Sequence, residues 1–113
     1  MTNVDNVIET VAMDHKALLA VNVADKTEQA KAFEALKESH AALMRDVAQM
    51  AFRGERSKRK QWAELQKEIT DLLEEGRGVV EAEEGMAPEG NWEEKLDRRY
   101  QRMGSRIARL AGG

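Results

Sequence analysis

Phe33, Leu36, His40, Leu43, Val47 and Met50 recur at intervals of three, four, three, four and three residues. This alternation lays six side chains in one row along a helix, because 3.6 residues per turn returns positions i, i+3 and i+7 to one face, whereas a strand needs every second residue. Ala41, Met44, Ala48 and Ala51 lie beside the row and widen it, which suits a bundle member with two neighbours better than half of a two-stranded zipper. The spacing returns at Ile8, Val11, His15 and Leu18, and again at Trp92, Leu96, Tyr100, Met103, Ile107 and Leu110. The chain therefore reads as all-α: a helical bundle or elongated helical hairpin with coiled-coil-like seams, built from three to four helices.

Boundary signals divide 113 residues into a helical core over 1–75, a linker over 76–90 and an amphipathic helix over 91–113. Asp25 with Glu28 three residues on forms a capping-box-like helix start, as does Asn91 with Glu94. Gly76 fits the position just past a helix end, and the segment after it holds the only proline, with Val79 and Val80 as a short extended piece. Gly54 leaves two readings open. A mid-helix glycine costs about 1 kcal/mol relative to alanine, which favours a break there. The series Met44, Ala48, Ala51, Glu55, Lys58, Trp62, Leu65, Ile69, Leu72 nevertheless keeps its spacing through the glycine. A separate helix starting near Ser57 would also put Lys58, Arg59 and Lys60 at its positive end and Glu74 and Glu75 at its negative end. An unbroken helix over 27–75 would be about 74 Å long, which only an elongated or oligomeric assembly accommodates.

The only two histidines sit in a pair of similar segments, IETVAMDHKALL (8–19) and FEALKESHAALM (33–44). A shared metal site is not expected from them. Helical ligand pairs lie at i and i+3 or i+4, whereas Glu9 and Glu34 precede their histidines by six residues. In a hairpin turning near Val23, His15 and His40 would also be offset by about 12 Å along the axis. Both fall on seam positions, so the expectation is two uses of one packing unit. A second expectation is a pH switch at His15 and His40, with assembly loosening as the imidazoles charge.

The absence of cysteine excludes disulfides and thiolate chemistry. No run of about eighteen apolar residues and no basic-then-apolar leader is present, so neither membrane contact nor secretion is expected, and the default location is cytoplasmic. The net charge of −3 is segregated into local balances of −3 over 1–52, +4 over 53–60, −9 over 61–94 and +5 over 95–113. Oppositely charged blocks in one chain are expected to meet, within or between subunits.

No nucleophile elbow, phosphate-binding loop or nucleotide fingerprint occurs, so neither an enzyme, a small-molecule substrate nor a cofactor is expected. Large aromatics are few, so a monomeric core looks thin, and small domains bury the smallest share of their surface. The leading expectation is accordingly a non-enzymatic protein–protein interaction or assembly module, homo-oligomeric or a small subunit of a larger complex. Its contacts would be the apolar seams Phe33, Leu36, Leu43, Val47, Leu96, Tyr100, Met103 and Ile107. The alternative is an accessory nucleic-acid-binding subunit: Arg53, Arg56, Lys58, Arg59 and Lys60 would meet phosphates, Trp62 would stack, and the basic last helix would add to them. The same cluster would equally dock an acidic protein surface.

Overall fold

A computed structural model describes residues 4–22, 24–82 and 90–112. Among these, four α-helices run as α1 (Val4–Ala20), α2 (Lys26–Arg53), α3 (Arg59–Glu81) and α4 (Trp92–Ala111), and no strand occurs. Val23, within the expected first turn, and residues 83–89 of the expected linker lie outside the described residues. Contacts between helices fix the topology. Gly76 of α3 faces Leu36 of α2, His15 of α1 bonds Tyr100 of α4, and Glu75 and Glu68 of α3 pair with Arg99 and Arg106 of α4. Successive helices are therefore antiparallel, and α4 closes against α1 to make an up-down-up-down four-helix bundle. The extents are 47 × 24 × 24 Å, matching the roughly 42 Å length of the 28-residue α2.

Each start and stop has a local cause. The Asp25 side chain accepts from the Glu28 backbone N–H at 3.0 Å, as the capping-box spacing predicts. Asn91 does precede α4, but its amide Nδ2 donates to Glu94 Oε2 rather than its oxygen capping the helix. The break at Gly54 is real. Gly54 and Glu55 are extended (ψ 172° and 144°), a 3-10 turn spans Arg56–Lys58, and α3 then runs back along α2. Basic residues at a helix start cost only about 0.3–1 kcal/mol each. Burying Trp62, Leu65, Ile69 and Leu72, all at most 2% exposed, contributes about 1.5–3 kcal/mol each, so packing outweighs the dipole conflict. Lys58 is further relieved by donating to the Leu110 carbonyl at the end of α4.

Gly76 does not end a helix. It lies inside α3, which continues through Val79 and Val80 to Glu81, so these valines are helical and the connection begins at residue 82. A Cβ on Gly76 would come within 3.0 Å of Leu36 Cδ2 and 3.3 Å of Leu18 Cδ2. The glycine is there for close approach of three helices. The acidic end of α3 is balanced by neighbours, with Glu75 on Arg99, Glu74 on Arg77 and the Ala82 carbonyl accepting from Lys26 Nζ.

The core fills the seams with their own chain. Phe33, Leu36, Leu43 and Val47 of α2 pack with Leu96, Tyr100, Met103 and Ile107 of α4 and with Ile8, Val11 and Leu18 of α1, all buried. Ala41 and Ala48, expected to widen the α2 face, are exposed. The two similar segments bury equivalent positions: Ile8, Val11, His15 and Leu18 in one, Phe33, Leu36, His40 and Leu43 in the other.

Candidate functional site

Polar chemistry and a cavity coincide at several places, two of which hold the histidine and basic-cluster residues singled out in the sequence. The first is inside the bundle. His15 Nδ1 and Tyr100 Oη are 2.7 Å apart with the rings edge to face, and beside them Arg99 donates two hydrogen bonds, of 2.9 and 2.5 Å, to the Glu75 carboxylate. Burial lowers the His15 pKa from 6.5 to about 4, the Glu75 anion opposing and the Arg99 and His40 charges adding to the effect. Burial also pushes the Tyr100 hydroxyl up, so it remains protonated. With the tyrosyl O–H donating, the imidazole keeps its own proton on Nε2. The Arg99 bonds hold Glu75 below its usual range. A cavity of about 390 Å³ opens here, its apolar walls including Leu19, Val79, Trp92 and Leu96.

His40 is placed differently. Its Nε2–H donates to the Ile69 carbonyl of α3 at 2.5 Å, and burial lowers its pKa while that bond opposes the shift. Thus the two histidines occupy equivalent seam positions but serve different helix pairs, α1 with α4 and α2 with α3. Neither ring bonds the other, and among the described residues no group of three or more His, Asp or Glu is arranged to hold a metal.

The second place is the corner where α2 turns into α3. Arg53, Arg56, Arg59 and Lys60 are exposed and Lys58 half-buried, and none of the five forms an ion pair among the described residues. The last basic helix behaves otherwise: Arg98, Arg99 and Arg106 are engaged by Glu94, Glu75 and Glu68. The expected meeting of charge blocks is thus realised within the chain between α3 and α4, and the 53–60 cluster is left over. Part of its placement is structural, because α2 and α4 both end at this corner and bring the negative ends of their dipoles to it.

Trp62 is not a surface platform. It is 2% exposed, and its Nε1–H has no acceptor among the described residues. The indole lies under Gly54, where an added Cβ would stand 3.1 Å from Nε1. It forms one wall of a cavity of about 350 Å³ with Met50, Arg53, Gly54, Lys58 and Leu110, and Glu55 is also on its lining. The exposed aromatic at this corner is Phe52, 91% exposed in the last turn of α2. Sequence reasoning passed over it, although its position off both apolar rows of α2 already turned it away from the core. The eight seam residues expected to meet a partner are occupied inside the bundle, so any partner surface must be sought elsewhere.

Comparison of the chain with family models, with curated proteins and with solved structures finds no match. No described helix is long and apolar enough to cross a membrane.

Proposed function

We propose that the chain is a non-enzymatic interaction module, a self-closed helical bundle that serves as a small subunit of a larger assembly and docks a protein partner on its α2–α3 corner. The observation that carries this reading is Phe52. Phe52 stands 91% exposed beside five bases that form no ion pair among the described residues, and an apolar ring set among cations complements an acidic surface bearing an apolar anchor. The internal closure of the seams argues against self-assembly through them and for a partner that uses this corner instead.

Peptide display against the immobilised protein tests the proposal. Recovered sequences should combine Asp or Glu with a large apolar residue, and should lose binding to Phe52→Ala and to the double variant Arg56→Glu, Arg59→Glu. Recovery of peptides indifferent to both variants would refute it.

A second reading has its own support. Arg102 and Arg109, without ion-pair partners among the described residues, line with Arg98 and Arg106 a groove of about 500 Å³ on the outer face of α4. Joined to the corner through Lys58 and Leu110, this surface suits a phosphate backbone, with Phe52 in place of Trp62 as the stacking side chain. Strongly salt-dependent binding of an oligonucleotide, lost in Arg102→Gln, would favour it over the first.

A further inference from the structure

His15 uses one of its two ring nitrogens. Nδ1 bonds Tyr100 Oη, and Nε2–H has no acceptor among the described residues. The residue is 2% exposed, yet Nε2 is not sealed as Gln29 Oε1 and Trp62 Nε1 are, and the imidazole forms part of the wall of the cavity of about 390 Å³. A buried donor without an acceptor is unfavourable, and native structures leave few of them.

The helices order this cavity in tiers, because α1 and α3 end, and α4 begins, at the same end of the bundle. His15, Glu75 and Arg99 form an inner, polar floor. Leu19, Val79 and Lys95, each four residues nearer that end, stand about 6 Å further out, and Trp92 lies beyond them. The floor has no net charge, since the imidazole is neutral and Arg99 and Glu75 cancel through their two hydrogen bonds. It offers a donor in His15 Nε2–H and an acceptor in the remaining lone pairs of Glu75.

We infer that this cavity binds a small, uncharged, mainly apolar molecule bearing a hydroxyl group: its oxygen accepts from His15 Nε2–H, its hydrogen is donated to Glu75, and its hydrocarbon body lies among Leu19, Val79, Trp92 and Leu96. The site is at the other end of the bundle from the docking corner and stands independently of that reading. Burial that keeps His15 from charging penalises any ion brought to the same floor. A carboxylate would gain Lys95, which is exposed and without an ion pair among the described residues, but its head would lie against Glu75. An ammonium would lie against Arg99. A hydroxyl meets neither conflict, and the volume falls in the lower part of the roughly 300–1,000 Å³ typical of ligand sites.

Trp92 reports on the cavity, and Trp62, near the start of α3, serves as the control. In a nitrogen-15-labelled sample their two indole N–H signals are assigned with Trp92→Phe. The probes are 3-phenyl-1-propanol, its methyl ether, which accepts but cannot donate, and 3-phenylpropionate. The alcohol should shift the Trp92 signal saturably, with a Kd below about 1 mM, and leave the Trp62 signal in place. The ether and the acid should each bind about tenfold more weakly. Val79→Trp, at a half-buried position on the wall, should abolish binding, and the double variant His15→Leu, Tyr100→Phe should bind the alcohol no better than the ether. No saturable shift at millimolar alcohol, equal binding of alcohol and ether, tightest binding of the acid, or a Val79→Trp protein that binds like the wild type would overturn the inference. Titration of the unaltered protein with the three probes decides the matter even if the double variant folds poorly.

Discussion

Acidification should destabilise this bundle through His15 at pH values above those at which Glu75 begins to matter. The imidazole is 2% exposed and bonded to Tyr100, with Glu75, Arg99 and His40 as the charged or titratable groups bearing on it. Its pKa falls from 6.5 to about 4 on folding, so between those values the unfolded chain binds the proton and the folded chain resists it. Stability is then fully present above pH 6.5, declines as pH falls, and levels off below about 4. The 2.5-unit gap corresponds to about 3 kcal/mol over the whole window and about 2 kcal/mol between pH 8 and pH 5. This is a large part of the ~5–15 kcal/mol by which domains are stable. His40 shifts in the same direction and adds to the slope. Glu75, held low by Arg99, contributes stability that is lost only below its unfolded value of 4.5, so measurements kept above pH 5 isolate the histidines. Urea unfolding followed by circular dichroism at pH 8, 6.5 and 5 reads the effect. The double variant His15→Leu, Tyr100→Phe removes the titrating ring and the hydroxyl it would otherwise orphan, and should flatten most of the slope. A wild-type midpoint unchanged from pH 8 to 5, or a double variant that loses as much as wild type, would refute the reasoning.

Three further outcomes check the packing account. Leu43→Ala, at a fully buried seam position, should cost about 2–5 kcal/mol in urea unfolding, independent of protein concentration because the seam closes within the chain. Gly76→Val should destabilise by about 1–3 kcal/mol despite a better helix propensity than glycine, since its Cβ would meet Leu36 at 3.0 Å; a thermal midpoint at or above wild type would contradict the close helix contact. Asp25→Ala should cost about 1 kcal/mol through loss of the bond to the Glu28 N–H, read by the same denaturation assay.

The seams were legible because 3-4 spacing has one meaning on a helix, and every buried position of α2 from Phe33 to Val47 lies on the row read from the sequence. The glycines were harder. Gly54 and Gly76 look alike in the sequence, yet one ends α2 in an extended turn and the other sits mid-helix against Leu36 and Leu18. What separates them is the identity of the neighbour facing the missing Cβ, and that neighbour lies on another helix. Trp62 misled for a related reason: adjacency to RSKRK suggested a surface ring, whereas its row with Leu65, Ile69 and Leu72 placed it in the core. The row was the better guide. His15 and Tyr100 are 85 residues apart, and no spacing rule joins them. That bond, like the orphaned indole N–H, became visible only when four helices were brought together.

The most direct test of a self-closed bundle with its partner surface at the α2–α3 corner compares the two large apolar side chains exposed among the described residues, Phe52 and Met13. Fluorescence anisotropy with a display-selected acidic peptide should show Phe52→Ser weakening binding about tenfold or more while Met13→Ser binds as wild type. Both variants should match wild type in urea stability within about 0.5 kcal/mol. Loss of binding in Met13→Ser with Phe52→Ser unaffected, or a Phe52→Ser protein that binds like the wild type, would contradict the account.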